Sequence, residues 1–100
     1  MPTPEQEQVC EQARSFTLGN IVITANALTC LTDDDVKTAL SRHVRCDWGD
    51  LESEDKSSND HALQGGGRLF SAYQSAKRTK FYVITEWDRS YTTILLPEDY

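Results

Sequence analysis

The sequence predicts an α+β domain, in which about four strands form a mainly antiparallel sheet with a C-terminal meander, packed by one or two helices. Three observations predict it. The last third holds three aromatic and β-branched runs, at 68–73, 80–86 and 91–96, whose connectors are too short for a crossover. A compact β-branched run, Ile21-Val22-Ile23-Thr24, stands apart near the N-terminus. Between them, Thr32 and the triple Asp33-Asp34-Asp35 open a segment with apolar residues at helical spacing.

Taken in order, residues 1–5 form a frayed start punctuated by Pro2 and Pro4. Val9, Ala13 and Phe16 supply the single stripe of a short helix over 5–15. Gly19-Asn20 breaks that helix, the strand at 21–24 follows, and Ala25-Asn26-Ala27-Leu28 turns the chain. A helix over 33–45 is capped by Thr32, with Asp35 as reciprocal partner and three aspartates at the positive end of the dipole. Val36, Leu40 and Val44, flanked by Ala39 and His43, form its apolar face. From 49 to 67 the chain is polar and ends in Gly65-Gly66-Gly67, so it reads as a long loop with one helical turn at 60–64. Pro97 ends the last strand, and no internal boundary divides the 100 residues, which form a single small domain.

Composition narrows the function classes. Sixteen acidic residues against ten basic ones give a net charge of −6, which disfavours generic binding to nucleic-acid phosphates. No apolar run approaches the ~20 residues that span a bilayer, so no membrane role is expected. The first residues lack the basic and apolar regions of a secretory signal, which makes the cytoplasm the expected location. Cys10, Cys30 and Cys46 are odd in number and widely spaced, and read as reduced thiols rather than a disulfide framework or zinc knuckle. Oligomeric state is open at this level.

Several stretches also resemble, in order, a family of small uncharacterised proteins found on plasmids, phages and other mobile elements, sometimes labelled plasmid-related or as a restriction-modification subunit. They are Leu18-Gly19-Asn20-Ile21-Val22, Thr24 with Ala27-Leu28, Arg42-His43 followed by Asp47-Trp48-Gly49-Asp50, Glu54-Asp55, Asn59, Ala62-Leu63, Arg68 and Ser71-Ala72-Tyr73. Ile84-Thr85-Glu86, Asp88-Arg89-Ser90, Thr92-Thr93 and Leu95-Leu96-Pro97-Glu98-Asp99-Tyr100 complete the set. Cys46 stands where the family's motif has a glycine. The resemblance implies a mobile-element context, in which proteins of this size act on host defence or element maintenance by binding another macromolecule.

The segment 42–50 is the densest in functional residue types. Trp48 beside Gly49 either pins the loop to the core or offers a ring to a partner. A protein-binding face is expected from Arg42, His43, Asp47, Trp48, Asp50, Asp55 and Arg89, with no cofactor and no metal. The acidic residues from Asp47 to Asp60 with His61 are oxygen and nitrogen donors, but Leu51 and Ser53 break the EF-hand alternation, and a solvated acidic loop is the simpler reading. The alternative is a metal-independent nuclease or hydrolase built from His43, Arg68, Glu86 and Arg89, near Thr92. An Arg68–Glu86 cross-strand pair and a helix-end His43 explain the same residues without catalysis. Cys46, next to Arg45 and close to His43, is a candidate for a lowered thiol pKa.

Overall fold

The computed structural model describes residues 16–100; the expected helix over 5–15 lies outside them, apart from the closing Phe16 of its stripe. Strand β1 (Asn20–Ile23) is followed by helices α1 (Ala25–Cys30), α2 (Asp33–Val44) and α3 (Ser53–Gly65). Strands β2 (Leu69–Gln74), β3 (Lys80–Thr85) and β4 (Tyr91–Leu95) come next, and a 3₁₀ turn, Pro97–Asp99, ends the chain. The four strands lie in the order β1-β4-β3-β2. β2, β3 and β4 form the antiparallel meander, while β1 pairs parallel to β4, with Ile23 opposite Ile94. The sheet is therefore mixed: the helices carry the chain from β1 to the far edge, and the meander walks back to meet it.

Side chains alternate across the pleat, so Leu69, Ser71 and Tyr73 share a face with Phe81, Val83 and Thr85 and with Thr92 and Ile94. Ala27 and Leu31 of the α1 region and Ala39 of α2 close a core on Tyr73, Phe81, Val83, Ile94 and Leu96, with Ile23, Val36 and Leu40 packed against it.

The cap of α2 forms as its sequence dictates. Thr32 Oγ1 accepts the Asp35 amide at 3.1 Å, and the Asp35 carboxylate accepts the Thr32 amide at 3.0 Å. Its other oxygen accepts the Ala76 amide, tying the helix start to the β2–β3 hairpin. Those backbone hydrogen bonds hold the Asp35 carboxyl below its usual pKa.

Three expectations are corrected. Residues 25–28 do not merely turn the chain: Thr24 Oγ1 accepts the Ala27 amide and caps a short helix. The apolar face of α2 ends at His43, which is buried, while Val44 is exposed, because the helix rotates Ala39 and His43 onto the sheet. The polar stretch at 49–67 is mostly α3 rather than a loop: the turn expected at 60–64 is the end of a longer helix with one buried residue, Asn59. Among the described residues no helix is long and apolar enough to cross a membrane.

Candidate functional site

Helix α2 ends in a Schellman motif. The Asp47 amide donates to the Arg42 carbonyl and the Cys46 amide to the His43 carbonyl, with Cys46 in the left-handed region at φ 66°. Cys46 is disulfide-bonded, so it is not the reduced, activated thiol that its neighbours suggested, whereas Cys30 is free and exposed.

The reversal of direction lays residues 48–50 beside β2. Trp48 O accepts the Ala72 amide and the Asp50 amide donates to Ala72 O. Gly49 sits between them at φ 77°, and a Cβ there would meet Ala72 O at 2.0 Å, so only glycine passes this point. One step along the same edge, Asn59 of α3 closes both outward groups of Phe70: its amide nitrogen donates to Phe70 O at 2.7 Å and its oxygen accepts the Phe70 amide at 3.0 Å. Over Phe70 and Ala72 the β2 edge is thus sealed by a side chain and a stub of backbone.

Arg42 and Asp47 form a two-pronged ion pair, Nε to Oδ2 at 2.7 Å and Nη2 to Oδ1 at 3.2 Å. The guanidinium also lies 4.6 Å from the Tyr73 ring centroid. Hydrogen bonding to Arg42 holds the Asp47 carboxyl below its usual value. Tyr73 donates its hydroxyl to Asp47 O, and burial pushes its phenol well up.

His43 lies beneath this surface. It is wholly buried, with the Trp48 ring edge-on at 5.6 Å and the Phe16 ring edge-on at 5.6 Å. Nδ1 is 2.6 Å from Ser71 Oγ and Nε2 is 2.9 Å from Thr85 Oγ1. Thr85 Oγ1 lies 2.7 Å from Thr92 Oγ1, and Thr92 donates to Leu18 O at 2.7 Å. Counting protons fixes the direction of the chain. Thr92 spends its hydrogen on Leu18, so Thr85 donates to Thr92, and Nε2–H donates to Thr85. Nδ1 then accepts from Ser71, and every partner is satisfied by a neutral imidazole. Burial, with Arg89 nearby, lowers its pKa to about 3.

The remaining residues of the expected sites are placed as follows. Arg68 Nε stands 3.8 Å from Glu86 Oε1. Arg89 donates to the carbonyls of Gly67, Glu86, Trp87 and Ala62, fastening the β3–β4 turn to the end of α3, and burial lowers its pKa. His43, Arg68, Glu86 and Arg89 therefore come from neighbouring elements, but the only imidazole among them is sealed from any substrate. Of the expected binding face, Arg42, Asp47, Asp50 and Asp55 are at the surface, while His43 and Trp48 lie inside it. Trp48 pins the loop, and sequence alone left that role and the partner anchor equally open.

Asn59 and the hydroxyls of Ser71, Thr85 and Thr92 organise this region without having drawn notice as a set. Alternating polar residues on one face of β2, β3 and β4 were the available signal. Among the described residues no group of His, Cys, Asp or Glu side chains is arranged to hold a metal ion. No family model, curated protein or solved structure matches the chain.

Proposed function

We propose that the chain is a non-enzymatic interaction protein of a mobile genetic element, which binds a host- or element-encoded protein, such as a component of a defence system, through the acidic surface around α3. The mobile-element setting rests on the resemblance in sequence; the binding mode rests on physics.

The observation that carries it is the state of α3. A helix that buries only Asn59 gains little from the core, yet it is fastened to β2 through a bidentate amide. Such a helix is polar nearly all round, an arrangement suited to work at a surface rather than to packing. Asp50, Glu52, Glu54, Asp55 and Asp60 on and beside it are exposed, against Lys56 as the one lysine or arginine within the helix. A basic protein surface is the complement of that field. The surroundings of His43 and Arg89 favour this reading over the catalytic alternative: His43 is buried and hydrogen-bonded through both ring nitrogens, and Arg89 is committed to carbonyls.

Affinity capture of tagged protein from host lysate, beside an Asp50→Lys/Asp55→Lys variant with an unchanged circular dichroism spectrum, tests the proposal. Wild type is expected to hold a basic protein that rising salt releases and that the variant loses. Equal capture by both proteins rules out this surface.

A further inference from the structure

The two edges of the sheet are treated differently. On β2 the outward backbone groups of Phe70 and Ala72 are all closed. On β1 the amides of Asn20 and Thr24 donate to Ser90 O and Ile94 O of the β4 side. The ladder alternates, so Val22 also faces β4, and the N–H and C=O groups of Ile21 and Ile23 point outward, with no partner among the described residues. No charge, proline or bulge blunts Asn20–Ile23. Ile21 is 46% and Val22 44% exposed, on opposite faces of the sheet, and Leu28 is 64% exposed on the Ile21 side. An edge of this kind is a template for another strand.

We propose that a second copy of this chain occupies it, the two β1 strands pairing antiparallel about a two-fold axis at Val22. In that register Ile21 of one copy faces Ile23 of the other, and each such pair exchanges two hydrogen bonds, which consumes all the open groups of both copies. The two Val22 residues form the central non-hydrogen-bonded pair, where side chains approach most closely. On the helix side, Ile21 and Leu28 help line an apolar groove of about 200 Å³, whose walls also include Asp33 and Lys37. One acid and one base per copy, exchanged by a two-fold axis, make this patch electrostatically self-complementary, although the whole chain carries −6. The pairing does not depend on the acidic surface, because α3 lies at the opposite edge of the sheet. It would leave two acidic helices at the far ends of one continuous sheet.

Sedimentation equilibrium over a wide concentration range, with amide hydrogen exchange at both ends of that range, decides the matter. Wild type is expected to pass from monomer to dimer, with the Ile21 and Ile23 amides exchanging freely when dilute and slowing in the dimer. Val22→Lys sets two like charges face to face at the axis and is expected to weaken the dimer at least about tenfold, while the exposed position leaves the fold intact. Val22→Cys in a Cys30→Ser background is expected to cross-link two copies under mild oxidation, since a non-hydrogen-bonded pair has the Cα spacing of a disulfide. A monomer at every concentration overturns the proposal. So does a dimer indifferent to Val22→Lys, or protection of Ile21 and Ile23 in the dilute monomer, which would seat another part of the same chain on the edge.

Discussion

At His43 a base sits where it serves only while uncharged. Its pKa falls from 6.5 to about 3 through burial first and the nearby Arg89 second, and the one-way run of hydroxyls from Ser71 to Leu18 O has no place for a second ring proton. The folded chain thus stays neutral at His43 while the unfolded chain takes up a proton below pH 6.5. The stabilisation is whole above that value and is lost as pH falls from there toward about 3, at up to about 1.4 kcal/mol per pH unit. Asp35, Asp47 and Asp99, whose pKa values lie below the ordinary carboxylate value of 3.8, lose their stabilisation only in a more acid range. Urea unfolding between about pH 7 and 5 is therefore expected to report His43. His43→Leu is expected to flatten the slope and to cost about 2–4 kcal/mol at neutral pH, because Ser71 and Thr85 lose their partner. A wild-type stability indifferent to pH over that window would contradict the neutral, sealed imidazole.

Among the elements, legibility follows how each is stabilised. Helix α2 was visible because its cap and its apolar stripe are both local, and β2, β3 and β4 because β-branched and aromatic runs alternate with short turns. Helix α3 was visible only as one turn at 60–64 for a physical reason: it has almost no apolar face, and what fixes it is Asn59 bonding to Phe70 and Arg89 bonding to Ala62 O, contacts between residues whose pairing no periodicity encodes. The same holds for Trp48, whose burial depends on the Schellman turn and on Gly49 passing close to Ala72 O. Val44 misled in the opposite direction, since the apolar stripe of α2 could be extended one turn beyond the sheet that it packs on. Asn59→Leu keeps the volume and removes both hydrogen bonds, leaving the Phe70 amide and carbonyl without partners. It is expected to cost about 1–3 kcal/mol and to raise hydrogen exchange throughout α3, while β3 stays protected. Unchanged protection of α3 would mean that other contacts hold the helix.

The molecule as a whole is a local meander to which a distant strand must return. Short runs separated β2, β3 and β4 in the sequence, so their antiparallel order was legible, but nothing local told β1 to lie parallel beside β4. That pairing is set by tertiary closure: Thr92 bonds to Leu18 O and Thr24 to Asp99 across 74 and 75 positions, and Ile23 packs toward the core beside Ile94. Closing so long a stretch of chain costs entropy before any contact returns it, so the meander and α2 are expected to form first and β1 to dock late. Two substitutions of the same chemistry separate these stages. Ile84→Val in β3 and Ile23→Val in β1 each remove one methylene and are expected to cost about 1 kcal/mol at equilibrium. The loss at Ile84 is expected to slow folding, with φ above about 0.5, whereas the loss at Ile23 should mainly speed unfolding, with φ below about 0.3. Stopped-flow chevrons of the two variants read this directly, and at protein concentrations low enough to keep the β1 edge unpaired they report the single chain. A high φ at Ile23 would place closure of the β1–β4 pair in the nucleus, and would mean that the parallel pairing guides the meander rather than completing it.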